Sequence, residues 1–140
     1  MIAYLDASVL VALLIDDVFN ARAEVFVTSI RPVPLLSDFA SAEFVSVISR
    51  RLRTKTLTET EARDALSALD VWAAGEVTRV ECATADIAMA TAFMRRLDLP
   101  LRTADAIQIA IAQRVGATLA TFDLQMLSNA RALGVPVATA

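Results

Sequence analysis

The chain has no histidine among its 140 residues. That absence excludes a Ser-His-Asp or Cys-His nucleophile system, a histidine general base and any histidine-ligated metal site. It has one cysteine, Cys82, so it can form neither an internal disulfide nor a paired-cysteine zinc site. Its three glycines, Gly75, Gly116 and Gly134, are too scattered to build a GxGxxG or P-loop phosphate cradle. A single lysine, Lys55, leaves Schiff-base chemistry to one residue. The longest uncharged runs, such as Ala7–Ile15, span nine residues, whereas a membrane-spanning helix needs about 20. The N-terminus lacks a basic region and carries Asp6 where a signal peptide is apolar. These features predict a soluble cytoplasmic protein in which Cys82 is reduced and buried.

What remains for chemistry is carboxylates, hydroxyls and arginines. With 56% hydrophobic and 21% charged residues, the chain has enough apolar material for one folded domain spanning 1–140. Short apolar runs alternate with longer helical patterns. Strands are predicted at Ile2–Leu5, Val33–Leu36, Val77–Val80, Thr118–Phe122 and Val135–Ala138. Helices are predicted from Ser8, as a cap, to Leu14, over 17–29, from a Ser37 or Asp38 cap to Arg53, and from a Thr58–Glu61 capping box to Ala74. Further helices run from Thr84 to Leu97, from Thr103 to Val115 and over 124–133. The segment Ala106–Gln113 alternates Ile with Gln or Ala and also suits a strand. The Thr103 cap and the Gly116 stop favour a helix, and one apolar on nearly all sides is expected to be buried. The alternation predicts an α/β fold, a parallel sheet with helices on both faces, and ligands beyond the carboxyl ends of the strands.

Asp6 and Asp123 each directly follow a predicted strand and so belong at that edge. A helix cap is the plain alternative for each. Two such acids on neighbouring strands would repel by roughly 4 kcal/mol at 4 Å and an effective dielectric near 20, which favours a cation between them. Asp105 opens a helix in Thr103-Ala104-Asp105. The same tripeptide recurs at Thr84-Ala85-Asp86, where Asp86 reads as a complement to the helix dipole. Glu43 sits among Phe44, Val45, Val47 and Ile48, and is either a solvated position or a paired carboxylate. Arg50, Arg51, Arg53 and Lys55 end the same helix. Seven residues separate Glu43 from Arg50, nearly two turns, so both share one face about 10 Å apart. Arg50 and Arg102 are candidate phosphate contacts, with a basic helix end as the alternative for Arg50. Trp72, Phe19, Phe26 and Val25 read as core or interface in preference to base-stacking groups, and Arg95–Arg96 as a solvated face.

Five segments together resemble PIN domains, and most of all the VapC-type toxins of toxin–antitoxin pairs. Tyr4-Leu5-Asp6-Ala7-Ser8 resembles the opening strand, acid and helix of that family. Ser41-Ala42-Glu43-Phe44 resembles its second acidic motif and Leu101-Arg102-Thr103-Ala104-Asp105-Ala106-Ile107 its third. Gly116-Ala117-Thr118-Leu119-Ala120-Thr121-Phe122-Asp123 resembles the fourth, and Gly134-Val135-Pro136-Val137 the closing strand. The resemblance implies a three-layer α/β/α sandwich with a central parallel sheet. It implies a metal-dependent endoribonuclease whose acidic site is Asp6, Glu43, Asp105 and Asp123, with Ser8 and Thr121 as nearby hydroxyls. It also implies a homodimer silenced by a partner antitoxin. Asp86 matches none of the metal positions.

An all-oxygen donor set suits Mg²⁺ or Mn²⁺, as one ion or two. Hydrolysis by metal-activated water needs no protein nucleophile and leaves 3′-hydroxyl and 5′-phosphate ends. Setting the four acids aside leaves 12 acidic residues against 13 basic ones, so the net charge of −3 does not oppose RNA binding. Three rivals stand beside this reading. An RNA-maturation nuclease shares the chemistry without the toxin role. A silent PIN module would only bind. A receiver-type signalling domain would use Asp16-Asp17, but that pair follows a helix, and Lys55 lies far from the last strands.

Overall fold

The computed structural model describes residues 1–15 and 17–139. Twelve elements alternate along the described chain. They are β1 (Ala3–Leu5), α1 (Ala7–Leu14), α2 (Asn20–Ser29), β2 (Leu35–Ser37), α3 (Asp38–Arg53) and α4 (Glu59–Ala73), then β3 (Thr78–Val80), α5 (Thr84–Arg95), α6 (Thr103–Arg114), β4 (Thr118–Thr121), α7 (Leu124–Ala132) and β5 (Val137–Thr139). The five strands form one parallel sheet in the order β3-β2-β1-β4-β5. The chain therefore builds outward from β1 to one side, then returns to its other side with β4. In sheets of this kind the crevice outside that point of reversal is where ligands bind. Asp6 follows β1 directly and its N–H donates to the Ala120 carbonyl of β4, so this acid is fixed at the reversal.

Side-chain alternation along the strands separates two faces. Tyr4, Leu35 and Leu119 join the core under α5, α6 and α7. Leu36 joins the core with α1, α3 and α4, and Ala3, Leu5 and Ala120 join Val9 and Ile30 in a third cluster on that side. The result is the expected α/β/α sandwich. The ambiguous segment is helical: eight successive residues of α6, Asp105 to Ala112, are buried, so sequence periodicity carries no amphipathic signal there. Gly116, at φ +67, closes the helix in a conformation that glycine adopts without steric cost. Among the described residues no helix is long and apolar enough to cross a membrane.

Several expectations are corrected. Asp6, and not Ser8, caps α1: its Oδ1 accepts the Val9 N–H at 3.2 Å, while Ser8 lies inside the helix. The second helix begins at Asn20, because the Asp17 carboxylate accepts the Phe19 N–H and its carbonyl accepts the Asn20 N–H. Cys82 is half-buried, since it lies in the loop before α5 with its N–H donated to Asp38. Asp16 of the acidic pair lies outside the described residues.

Asp86 does more than complement a dipole. It is 1% exposed, accepts the Ala83 N–H at 2.7 Å and takes two hydrogen bonds from the Arg114 guanidinium, at 2.8 and 3.0 Å. This pair ties the start of α5 to the end of α6. Arg114→Met leaves a buried carboxylate without its cation and should cost about 2 kcal/mol of stability. Urea unfolding checks this; an unchanged midpoint would show that the pair is dispensable.

Candidate active site

A cleft of about 550 Å³ opens at the carboxyl edge of the sheet. Asp6, Glu43, Asp105 and Asp123 all line it, together with Ser8, Arg50 and Arg102. The four acids arrive from separate elements: the end of β1, the second turn of α3, the first turn of α6 and the cap of α7. Thr121 does not line the cleft. Its Oγ1 donates to Asp6 Oδ2 at 2.6 Å, and Ser8 Oγ donates to Asp6 Oδ1 at 2.6 Å. Both hydroxyls thus hold the first acid in place.

Charge in this cleft is destabilised in the absence of a cation. Burial pushes the Asp6 carboxyl up to about 6, against the downward pull of the Ser8, Thr121 and Val9 donors, and nearby Asp123 raises it further. Glu43 is raised by burial and by Asp105, while Gln108 and Arg102 pull it down. Asp105 is raised by burial and by Asp123, and lowered by Arg102, whose Nε lies 3.5 Å from Oδ2. Repulsion therefore runs from Asp6 through Asp123 and Asp105 to Glu43. The cap role and the cleft role coexist in Asp123. Its Oδ1 accepts the Gln125 and Met126 N–H groups, and its Oδ2 accepts no hydrogen bond from a described residue. Glu43 Oε2 and Asp105 Oδ1 are in the same condition.

Among the described residues no three acids cluster closely enough to enclose an ion by themselves. A hard divalent ion, Mg²⁺ above all, takes one or two carboxylates and fills its remaining positions with water and substrate oxygens. The donor set fits such an ion in kind: oxygen ligands with open lone pairs, in a cleft where ionised carboxylates repel.

Sequence reasoning missed four contributors. Gln108 is fully buried, and its Nε2 donates to Glu43 Oε1 at 2.6 Å. The Tyr4 hydroxyl donates to Gln108 Oε1, and so accepts from Ser37 Oγ at 2.6 Å. This polar chain crosses the core under β1 and fixes which way the Gln108 amide faces. Asp17 and Arg51 also line the cleft. Phe19, expected in core or interface, lines it as well, stacked on Phe122. Val25 is 70% exposed, whereas Phe26 and Trp72 are partly buried against the Leu5 cluster. Arg96 is exposed and pairs with Asp98, as a solvated face requires.

Two outcomes follow. Because the Asp6 pKa is raised on folding, its stabilising contribution is complete below pH 4 and is lost as the pH rises through 6. The loss is about 3 kcal/mol in the metal-free protein. In EDTA the melting temperature should fall between about pH 4 and pH 6.5 and level off above that, and Asp6→Asn should flatten that slope; a flat wild-type profile contradicts this. Gln108→Leu removes the donor that lowers Glu43, so the Glu43 carboxyl should titrate at still higher pH by carbon NMR, and an unmoved titration would show that the amide does not act on it.

The family model for the PIN domain matches residues 3–132. No curated protein sequence matches the chain significantly. Solved structures share its fold. VapC20 of Mycobacterium tuberculosis, described as a Sarcin-Ricin loop cleaving toxin, is 19% identical, with a TM-score of 0.72 over 90% of this chain and 93% of its own. VapBC2 of Rickettsia felis, bound to a DNA fragment from its promoter, is 15% identical, with a TM-score of 0.70 over 99% and 98%. FitAcB of Neisseria gonorrhoeae is 20% identical, with a TM-score of 0.69 over 99% and 97%. With the family model matched over nearly its whole length, and its acids gathered at the edge where β1 and β4 end, this chain belongs to the PIN domain family.

Proposed function

We propose that this protein is an endoribonuclease that depends on Mg²⁺ or Mn²⁺ and acts as the toxin of a toxin–antitoxin pair. The observation that carries the proposal is the set of four carboxylates in one cleft, each beside a like-charged neighbour, three of which keep an oxygen without a hydrogen-bond donor from a described residue. Asp6, Glu43, Asp105 and Asp123 would hold the ion or ions. The bound cation supplies a more acidic water and offsets charge on the phosphate under attack. The chain's own residues do the rest. Ser8 and Thr121 keep Asp6 oriented, and Gln108 does the same for Glu43. Arg50 and Arg102, on the cleft wall, hold phosphate oxygens of the substrate beside the acids. The Arg102–Asp105 contact, at 3.5 Å and with Arg102 82% exposed, is loose enough to exchange for a phosphate.

The toxin role rests on the likeness to VapC20 and the VapBC and FitAB assemblies. It brings a cognate antitoxin as partner, a homodimer as the working form, and the cytoplasm as the place of action.

Cleavage of RNA should require Mg²⁺ or Mn²⁺, stop in EDTA and leave 5′-phosphate ends. Ca²⁺ should support little turnover, because its looser coordination positions water less well. Asp6→Asn, Glu43→Gln, Asp105→Asn and Asp123→Asn should each lower the rate at least a hundredfold, and Asp86→Asn should not. Full activity in EDTA, or loss only in the Asp86 variant, would overturn the assignment. Growth arrest on expression, relieved by the product of a neighbouring small gene, separates a toxin from a maturation nuclease.

A further inference from the structure

Phe19 is the one exposed aromatic residue among the described residues, at 38%. Its ring stacks on Phe122 with centroids 4.9 Å apart and planes inclined by 13°. Phe122 immediately precedes Asp123, and both rings line the acidic cleft. The Arg22 guanidinium carbon lies 5.4 Å from the Phe19 centroid and 5.3 Å from that of Phe122. A group resting on the outer face of Phe19 would stand roughly 8 Å from the second ring, given normal stacking distances. The guanidinium therefore sits at the flank of the pair and covers neither outer face. Phe122 packs against the core cluster of Leu5, Val9 and Ala120. Phe19 is thus the more exposed ring of the pair, and Arg22 does not cover its outer face.

We propose that this face is a nucleobase subsite, on which an unpaired base next to the phosphate under attack stacks. The proposal rests on the nuclease reading and deepens it. A planar ring held parallel to a second ring is already ordered, so a third layer adds contact area at little conformational cost. A base can reach that face only when it has left a double helix. Every base has such a face, so the subsite selects unpaired RNA without selecting sequence. Arg50 and Arg51, in the same cleft, supply the positive charge that keeps the strand's phosphates beside the stacked base.

The test uses the full chain carrying Asp105→Asn, which stops cleavage, with a labelled short oligoadenylate and the same strand annealed to oligouridylate. Fluorescence anisotropy should show the single strand bound about ten-fold tighter than the duplex. Phe19→Leu should weaken single-strand binding about ten-fold, or about 1.4 kcal/mol, and leave duplex binding unchanged. Phe19→Tyr, which keeps a ring, should retain the preference. An independent measurement needs no substitution at this position: titration with adenosine monophosphate should move the Phe19 ring-proton resonances upfield by ring current. Equal binding of the single strand by the parent and by its Phe19→Leu variant, with unmoved ring protons in the parent, would overturn the subsite and leave the nuclease reading standing. Weakened capture of a partner protein by Phe19→Leu with RNA binding intact would also overturn it. Failure of the parent to bind either RNA would remove both the subsite and the nuclease reading.

Discussion

The structure depends on one constraint: parallel strands all end at the same edge. With the order β3-β2-β1-β4-β5, the ends of β1 and β4 lie side by side, and the first residues beyond them share a crevice. Asp6 is the residue after β1, and Asp123 is two residues past the end of β4. Helices α3 and α6 bring Glu43 and Asp105 to the same place. Gathering carboxylates at the margin of a core is unfavourable, through both lost hydration and mutual repulsion. Nearby donors offset part of this. Ser8, Thr121 and the Val9 N–H act on Asp6, the α7 N-terminus on Asp123, and Gln108 on Glu43. The Asp6 pKa stays at about 6 despite three donors, so the offset is partial. The proposed cation would remove the remaining cost.

The supporting groups are drawn from the packing itself. Asp6 and Asp123 use one oxygen to start a helix, so the cap that stabilises α1 or α7 also fixes the position of a cleft carboxylate. Tyr4 and Ser37 belong to adjacent strands, and Ser37 also caps α3 through the Ala40 N–H at 2.9 Å. Their hydroxyls set the Gln108 amide, which sets Glu43. Stability and site geometry therefore share the same hydrogen bonds.

Much of this is legible in sequence because the signals are local. A short apolar run ending in Asp, and a Thr58–Glu61 capping box that the structure reproduces, need no tertiary information. The glycine signal at the end of α6 outweighs its misleading alternation, whereas the expected Thr103 cap is not made: Thr103 is the first residue of α6, and Arg102 precedes it without a side-chain capping hydrogen bond. What is illegible needs long-range geometry. The two Thr-Ala-Asp tripeptides are identical, and only Arg114, 28 residues beyond Asp86, separates the buried ion pair from the cleft acid. Tyr4 and Gln108 are 104 residues apart, and their contact requires the register of β1 against α6. Phe19 reads as apolar filler until Phe122 stacks on it. Ser8 reads as the cap of α1 because a serine after the strand-ending Asp is as good a cap as the Asp itself, and only the hydrogen bond from the Val9 N–H to Asp6 decides between them.

The central claim is that Asp6, Glu43, Asp105 and Asp123 form one cation-binding centre. Titration of the protein with Mn²⁺, followed by the electron paramagnetic resonance of the free ion, tests it without reference to any substrate. Wild type should take up one or two ions per chain. Each of Asp6→Asn, Glu43→Gln, Asp105→Asn and Asp123→Asn should weaken that uptake at least ten-fold, while Asp86→Asn leaves it unchanged. Undetectable uptake by the wild type, or uptake that survives all four substitutions, would contradict the account.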